Sequence, residues 1–459
     1  MTVGSRVSQS SGMNAFRHRN YRLFFGGQAV SLVGTWMQQV AQAWLVLVLT
    51  HDPLWLGVVA AAQFVPVMIF GLFAGVLADT LPKRQTLVAT QAIRMVLSIV
   101  LAILAVTNQA TIPTLVLLAL VIGTVNAVDM PVRQSFVVEM VGREDVANAV
   151  ALNSAMFNGA RVVGPAVAGL VIGAVGVALA FAIDAVSFLA VIVALLAMRD
   201  SELQAPALIV RPHSGHEVMT QLREGLHYVR ATPVVLVAML VVGLVATLGM
   251  NFSVIIPPYA ESVMGTGAAG YGFLMAASGL GSLLAALWLA FGGGAQVRRI
   301  AYGAILLGIG ETALGVSRSF EISLLLMGLV GFGGILMAAT ANTTIQLAVP
   351  DGLRGRVMSV YTTIFAGSTP VGGPIMGGLA SAFSVAISLA IGGILSVVVG
   401  LGAFVWIRRR GLDRRPLRSV VVGPVVGGQP AQAATPVVGA RTAATTASSP
   451  SLPDGARPR

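Results

Sequence analysis

The chain has no cysteine, a single lysine, and charged residues at only 10% of its 459 positions. Without cysteine, disulfides and thiolate metal sites are excluded. The lysine, Lys83, follows Pro82 instead of the glycine-rich loop of a Walker A nucleotide site, so the chain is not its own ATP motor. No His-Glu-x-x-His or Gly-x-Ser-x-Gly motif lies in an apolar segment, and His213 and His216 on a polar stretch make a poor metal site. We therefore predict no enzyme activity, no cofactor and no metal.

Long apolar stretches fill most of the chain, which is 56% hydrophobic with a mean hydropathy of +0.87. A helix of roughly 20 residues crosses the hydrocarbon core of a bilayer, and lipid forces backbone groups to bond within the segment. The sequence therefore predicts an all-α membrane protein with twelve transmembrane helices, called spans 1 to 12. They are 21–49, 54–78, 85–107, 113–132, 148–173, 176–198, 234–258, 269–291, 300–317, 322–347, 358–382 and 385–407.

The basic residues are distributed unevenly, and this predicts the orientation. Nearly all of the 28 Lys and Arg residues lie in the termini or in the loops that follow even-numbered spans; Arg94 and Arg161 lie inside spans, and Arg318 lies in an opposite loop. Because Lys and Arg accumulate in cytoplasmic loops, both termini are expected in the cytoplasm of a bacterial inner membrane. This bias also accounts for the net charge of +11, so we expect no nucleic-acid partner.

The longest polar interval divides six spans from six. The first residues lack the apolar core of a signal peptide, Val218–Arg230 has the pattern of a short amphipathic surface helix, and the last residues are rich in Pro, Ala, Val, Thr and Ser. The predicted units are a cytoplasmic N-terminal segment, a six-helix bundle, a cytoplasmic linker, a second six-helix bundle and a disordered cytoplasmic tail, at 1–20, 21–198, 199–233, 234–407 and 408–459.

The two halves resemble each other in sequence. A basic pair follows span 2 (Lys83-Arg84) and span 8 (Arg298-Arg299), and a Gly-Pro motif occurs in both span 5 and span 11. The Gly and Pro residues of these motifs are Gly164, Pro165 and Gly169 in span 5, and Gly373, Pro374, Gly377 and Gly378 in span 11. Parallel repeats of this kind place a substrate site near the bilayer midplane, where the repeats meet.

Several motifs resemble those of the major facilitator superfamily. The segment 75–84 resembles its signature G-x-x-x-D-R-x-G-R-R/K: Gly75, Asp79, Lys83 and Arg84 match, whereas Thr and Pro replace the first Arg and the second Gly. The Gly-Pro motif is similar to one that marks proton-driven exporters when it lies in span 5, although an Ala replaces one Gly there. Further segments resemble the drug and siderophore (enterobactin-type) exporter branch: Asn14–Arg17, Trp36–Gln38, Met130–Gln134 and Arg354–Val357.

This resemblance implies two pseudo-symmetric six-helix bundles and transport by alternating access. It further implies a secondary active transporter that exports amphiphilic small molecules, drugs or siderophore-like metabolites, in exchange for protons. The expected partners are a small-molecule substrate, protons and the lipid bilayer, with no nucleotide, and we expect a monomer. A proton-linked importer, a uniporter and a non-transporting membrane sensor are the alternatives.

Asp79 lies at the end of span 2, beside Lys83 and Arg84. An acid there can bond to the N–H groups at the start of a neighbouring helix or to an Arg across the loop. The resemblance favours a gating latch that holds one conformation. The alternative is a solvated interfacial acid.

Charged residues deep in the spans are costly, and they often mark function. They are Arg94 in span 3, Arg161 in span 5, Asp184 in span 6 and Glu311 in span 9. Arg161 and Asp184 lie at depths that differ by about 6 Å at ~1.5 Å per residue, so a pair is plausible. Such a pair would be either structural or proton-responsive. The third alternative is that the two side chains make no contact.

Asp129 in span 4 is the best-placed candidate for proton coupling, because spans 1, 4, 7 and 10 line the cavity in the superfamily. Arg133 follows it by one helical turn. The alternative is an ordinary pair of charges at a helix end.

Polar side chains on the same four spans are candidates for the substrate cavity. Gln28, Thr35, Gln39 and Gln42 recur at helical spacing on span 1, next to Trp36. The others are Asn126 on span 4, Asn251 on span 7, and Asn342 and Gln346 on span 10. Some such groups serve only as hydrogen-bonding links between helices, so we expect about half of them to face the cavity.

Overall fold

The computed structural model describes residues 13–204, 215–291 and 296–413, but not the side chains of 71–80, 215–218 and 221–222. The α-helices in these ranges are α1 (Arg19–Thr50), α2 (Pro53–Thr80), α3 (Lys83–Val106), α4 (Ile112–Val175), α5 (Val177–Leu196), α6 (Gly215–Ala231), α7 (Pro233–Leu248), α8 (Phe252–Pro258), α9 (Gly267–Phe291), α10 (Arg298–Val316), α11 (Phe320–Ala348), α12 (Asp351–Ala382) and α13 (Val385–Arg409). Short 3₁₀ segments cover Asn14–Arg17 and Asp200–Glu202, and a π-helical turn covers Tyr259–Val263.

The twelve-helix membrane fold is confirmed. Spans 1 to 3 are α1 to α3, spans 4 and 5 are the two limbs of α4, span 6 is α5, span 7 is α7 with α8 and the π turn, and spans 8 to 12 are α9 to α13. Ten helical segments of the described chain are long and apolar enough to cross a membrane. They include the 64-residue α4 once, although it holds two spans, and leave out α12, which is rich in Gly, Ser, Thr and charged residues.

The connection between spans 4 and 5 differs from the sequence prediction. Residues 133–147, expected to form a loop, continue α4 as helix on both sides of a kink at Gly142 (φ 74°). Phe136 and Met140 lie on this extension and are buried, and that burial stabilises the helix beyond the membrane. A positive φ favours glycine, and a Cβ at Gly142 would lie 2.3 Å from Nε2 of Gln204.

Each half packs its helices in the same pattern. In the first half, α5 packs on α1 and α3, while α4 packs on α1 and α2. In the second half, α13 packs on α7 and α10, α12 packs on α7, and α11 packs on α9. Helices that follow each other in sequence are therefore often not the closest neighbours.

The second half lacks a straight span 7. The helix stops after Leu248 and resumes at Phe252, and Pro257 and Pro258 follow before the π turn. Proline removes a backbone donor and displaces the helix ladder. Asn251, inside the break, donates from Nδ2 to the carbonyl of Thr247 at 2.7 Å, so its side chain satisfies a carbonyl of the interrupted helix.

The predicted amphipathic helix of the linker lies within α6, which packs on α7 and α12. The hydroxyl of Tyr228 donates to the carbonyl of Ala348 at 3.1 Å, and Glu224 forms an ion pair with Arg356. This helix therefore lies against the second half. The predicted disordered tail falls outside the described residues from 414 onward.

The halves meet through α2 and α12 on one side. A Cβ at Gly57 would lie 2.3 Å from the carbonyl oxygen of Gly373, and a Cβ at Gly377 would lie 2.5 Å from that of Pro53. These distances leave no room for a side chain, so backbone packs directly on backbone.

The second contact between the halves, α4 with α9, is built in the same way. A Cβ at Gly272 would lie 2.4 Å from the carbonyl oxygen of Pro165 and 2.6 Å from Cα of Gly169. Both Gly-Pro motifs are therefore interface motifs. All these contacts lie toward the 51–52 end of the bundle, where odd-numbered spans connect to even-numbered ones; the opposite end is called the 81–82 end.

We predict that Gly57→Leu separates the halves at the 51–52 end. Cysteines at Leu54 and Gly378 suit a short bifunctional thiol cross-linker, because a Cβ at Gly378 would lie 3.7 Å from Cδ1 of Leu54. Overpacking costs about 1–3 kcal/mol, so cross-linking should fall by about fivefold or more. Gly26→Leu is the control, since nothing lies within 4 Å of a Cβ there. The cross-linking yield is compared in the double-cysteine protein alone, with Gly57→Leu and with Gly26→Leu. Equal yields in the three proteins would contradict the tight glycine contact.

Candidate functional site

A cavity of about 570 Å³ lies in the first half, between α1 and the two limbs of α4. It lies toward the 81–82 end, because its walls come from the first turns of α1 and from the region around Gly142. Its lining combines apolar and aromatic side chains with amides and one guanidinium. The polar and aromatic lining residues are Phe24, Gln28, Arg133, Gln134, Asn153, Ser154, Phe157 and Asn158.

The polar stripe predicted on span 1 divides into three environments. Gln28 lines this cavity, and its Oε1 has no hydrogen-bond partner. Thr35 instead accepts a bond of 3.1 Å from Nη2 of Arg94, and Trp36 packs edge-on against Phe157 with ring centroids 5.7 Å apart.

Gln39 and Gln42 lie further along α1. They line a separate cavity of about 60 Å³ together with Gln63 of α2 and Ser253 of α8. Gln38, which was not among the predicted site residues, donates from Nε2 to Oε1 of Gln42 at 2.6 Å. This small cavity touches both halves.

The other amide candidates occupy different positions. Gln346 is exposed and donates to Asn342, one turn away. Asn251 is buried in the break of span 7 with no partner for Oδ1, and Asn126 is half-buried on α4.

Asp129 is buried behind the cavity wall. Its Oδ1 accepts hydrogen bonds from the hydroxyl of Thr90 and from Nε2 of Gln91, both at 2.7 Å. Its Oδ2 lies 3.6 Å from Nη2 of Arg133. Since Arg133 also lines the cavity, this guanidinium connects the buried acid to the cavity.

Arg94 is the second cation near Asp129. It lies buried on α3, with its guanidinium carbon 4.9 Å from the ring centroid of Phe188. It interacts electrostatically with both Asp129 and Asp184, without either acid reaching ion-pair distance. Ser98 donates to Oδ2 of Asp184 at 2.5 Å. The charges of this region therefore largely compensate one another.

The pair considered between Arg161 and Asp184 does not form. Asp184 bonds to Ser98 of α3 because α5 packs mainly on α1 and α3 and much less on α4. The Arg161 guanidinium carbon instead lies 5.9 Å from the ring centroid of Trp36. Nearness in depth along neighbouring spans was not enough to predict the partner.

Glu311 is buried where α10 meets α7 and α13. A Cβ at Gly249, in the break of span 7, would lie 3.0 Å from Oε2 of Glu311 and 2.7 Å from the hydroxyl of Ser396. Oε2 has no hydrogen-bond partner, and no described cation lies within 4.0 Å of the carboxylate. The second half therefore holds a buried acid that has no counter-charge among the described residues.

The side chains of Gly75 and Asp79 lie outside the described residues, so the latch stays a prediction. Lys83 of the same motif forms an ion pair with Glu139 on α4. Arg84 bonds to the carbonyls of Leu195 and Leu196 and to Asp200, at 2.8, 2.9 and 2.5 Å.

Glu139 was missed as a site residue because the segment around it was expected to be a loop. It lies in the first limb of α4 instead. The available signal was an acid between the two arginines of the connection, Arg133 and Arg143. The motif thus fixes the start of α3 to the first limb of α4 and to the end of α5. Among the described residues no three His, Asp or Glu side chains cluster as metal ligands.

We predict opposite effects on stability at the two deep acids. Asp184→Asn removes a charge that interacts with Arg94 beyond ion-pair distance and should destabilise the protein by about 1 kcal/mol. Glu311→Gln replaces a buried carboxyl that has no described counter-charge by a neutral amide of the same shape, and it should leave stability unchanged or raise it. Thermal unfolding of the detergent-solubilised variants measures both. A larger loss in Glu311→Gln than in Asp184→Asn would contradict this electrostatic account.

The chain is similar in sequence to a known family of membrane proteins and to several of its members. Residues 10–420 match the sequence profile of the family described as transmembrane secretion effector. The chain is 22% identical to the staphyloferrin A transporter of Staphylococcus aureus (strain NCTC 8325 / PS 47), over 85% of this chain and 96% of the relative. It is 29% identical to the multidrug efflux pump Tap of Mycolicibacterium fortuitum, over 82% and 92% of the two chains. It is 22% identical to the enterobactin exporter EntS of Escherichia coli O1:K1 / APEC, over 84% and 91%.

Solved structures show the same fold at low identity. A bacterial homolog of the human lysosomal transporter Spinster, in an inward-facing and occupied conformation, has a TM-score of 0.65 at 14% identity and covers 86% of this chain and 97% of its own. A POT peptide transporter in complex with alafosfalin has a TM-score of 0.68 at 14% identity, over 86% and 95%. The resemblance drawn from the sequence motifs is confirmed: the chain belongs to the transmembrane secretion effector family and is a transporter of the major facilitator superfamily, not an enzyme.

Proposed function

We propose that this transporter exports amphiphilic small molecules, drugs or siderophore-like metabolites, by proton antiport and alternating access. The observation that carries the proposal is the amphiphilic cavity on the 81–82 side of the halves' contact. A molecule with an apolar body and polar groups suits a wall of Phe, Gln, Asn and Arg side chains. The relatives named for enterobactin export and for multidrug efflux support export as the direction of transport. The relative named for staphyloferrin A supports a siderophore-like substrate.

The contact between the halves supports alternating access. Glycines bring backbones together in pairs at the 51–52 end (Gly57 with Gly373, Gly272 with Pro165) without interlocking side chains. At these glycines the backbones can part without unlocking side chains, and the one described aromatic pair across the halves is Trp44 of α1 stacked on Tyr271 of α9, with ring centroids 6.4 Å apart. Opening there and closing at the 81–82 end would transfer a substrate across the membrane.

Proton coupling is assigned to Asp129. The acid is buried, and its one ion-pair partner, Arg133, is also part of the cavity wall. A nearby cation favours the charged carboxylate, whereas burial without that cation favours the protonated form. A substrate that holds Arg133 beside Asp129 would thus promote proton release, and movement of Arg133 away from Asp129 in the substrate-free transporter would promote proton uptake.

We predict that Asp129→Asn abolishes uphill efflux driven by a pH gradient but retains downhill exchange. The Asn side chain keeps an oxygen to accept the bonds of Thr90 and Gln91 but cannot exchange a proton. The measurement is transport in proteoliposomes, with a substrate found by comparing secreted metabolites and drug susceptibility of a deletion strain. Glu321→Gln is the matched control, since Glu321 is an exposed acid on α11.

Two results would contradict this assignment in different ways. Unchanged accumulation against the gradient by Asp129→Asn, with the same pH dependence, would exclude Asp129 as the coupling acid and direct the test to Asp184. Absence of any exchange by the natural protein would remove the transporter assignment in favour of a sensor.

The proposed location is the bacterial inner membrane, with both termini in the cytoplasm and the 81–82 end facing inward. The basis is the accumulation of Arg at that end, which holds the basic residues of α3 and α10 and the last turn of α13. We further propose that the protein acts as a monomer and uses no nucleotide.

We predict that a reporter fused after Arg459 is active only if it functions in the cytoplasm. A fluorescent protein that folds only in the cytoplasm should therefore fluoresce there, and a periplasmic phosphatase should remain inactive. The same reporters placed after His51, in the connection between α1 and α2, should give the reverse pattern. Phosphatase activity at the C-terminus would overturn the proposed orientation.

A further inference from the structure

Arg161 is a cation in the middle of a transmembrane helix, and it has no counter-charge among the described residues. It lies on the second limb of α4, 14 residues before the helix ends at Val175, or about 21 Å along the axis. No described carboxylate lies within 4.0 Å of its guanidinium, and its one described interaction is with the face of Trp36. By contrast, Arg133 has Asp129 and Arg84 has Asp200.

The position of Arg161 continues the cavity wall. Phe157 and Asn158, which line the cavity, precede it by four and three residues and so share its helix face. Trp36 contacts both Phe157 and Arg161. Arg161 itself is half-buried. Its guanidinium therefore lies next to the aromatic pair of Trp36 and Phe157, one helical turn beyond the residues that line the cavity.

Arg161 also lies at the contact between the halves. A Cβ at Gly279 of α9 would lie 2.8 Å from the carbonyl oxygen of Arg161. On the other side, a Cβ at Gly164 would lie 2.4 Å from Cβ of Trp36. The backbone around the guanidinium is thus held between α1 and α9, and a ligand bound to it would be positioned where the halves meet.

The aromatic contact does not compensate the charge. A cation–π interaction contributes about 0.5–2 kcal/mol, whereas an unpaired Arg at the centre of a bilayer costs about 2.5 kcal/mol or more. The other cavity guanidinium, Arg133, is already paired. An anionic group supplied by a ligand would complete the charge balance and form hydrogen bonds with the guanidinium.

We infer that Arg161 is the anion-binding residue of the substrate site, and that the transported class is aromatic amphiphiles carrying a carboxylate or similar anionic group. The inference rests on the proposed transport function. Trp36 and Phe157 pack against the aromatic part, Asn158 and Gln28 supply hydrogen bonds, and Arg161 binds the anion. Cationic amphiphiles are disfavoured because they meet an uncompensated guanidinium.

The test measures binding without transport, using the full chain in lipid nanodiscs and two fluorescent probes. Dansylglycine carries a carboxylate, and dansylglycinamide is its neutral counterpart. The natural protein should bind the carboxylate about tenfold more tightly, the preference expected from one charge-assisted hydrogen bond. Arg161→Gln should remove this preference while retaining the affinity for the amide. Arg161→Lys should restore part of it.

One control variant and the design of the assay separate this inference from the coupling proposal. Arg318→Gln removes an exposed arginine outside the cavity and should bind both probes like the natural protein. Both probes are compared at equilibrium, at one pH and without transport, so a failure of the coupling proposal would not change the carboxylate preference and is thus distinguishable. Size-exclusion profiles verify the fold of each variant, and Arg161→Lys keeps the test decisive if Arg161→Gln does not fold.

Three outcomes would overturn the inference. They are equal affinity of the natural protein for the two probes, a carboxylate preference that persists in Arg161→Gln, and tighter binding of a lipophilic cation such as tetraphenylphosphonium than of dansylglycine.

Discussion

Everything in this protein depends on the cost of leaving a polar group unpaired in hydrocarbon. The constraint makes each span helical, since only a helix satisfies its own backbone in lipid. In the first half it is met among Arg94, Arg133, Asp129 and Asp184, two cations and two acids whose charges compensate one another. Among the described charged side chains inside the spans, Arg161 and Glu311 are the exceptions. A charged side chain that the fold leaves unpaired in hydrocarbon is a site where a ligand or a proton can bind.

The interface between the halves depends on small residues. Glycines at α2–α12 and α4–α9 let backbones touch, and they belong to the two copies of the Gly-Pro motif. Repetition of the motif therefore gives the molecule two equivalent contacts around one central axis. Arg161 lies at the edge of one of them, against Gly279. Substrate binding and the separation of the halves thus share a location.

The sequence predicted the spans well, because length and hydropathy are local properties. It did not predict partners, because partners depend on which helices pack together: α5 packs on α1 and α3, so Asp184 meets Ser98 rather than Arg161. The pair of Asp129 and Arg133 was foreseeable, since it lies within one helix turn. The break at residues 249–251 was not foreseen, because single polar residues and glycines also occur in intact transmembrane helices.

The most direct test of alternating access uses the natural absence of cysteine. Spin labels at His51 and Phe383 report distances across the 51–52 end, and labels at Gln134 and Gln346 report distances across the 81–82 end. Double electron–electron resonance in nanodiscs between pH 5 and 8 should give opposite changes at the two ends. The distance across the 51–52 end should lengthen as the distance across the 81–82 end shortens. Distances that stay constant, or that lengthen together, would contradict a transporter that opens one end by closing the other.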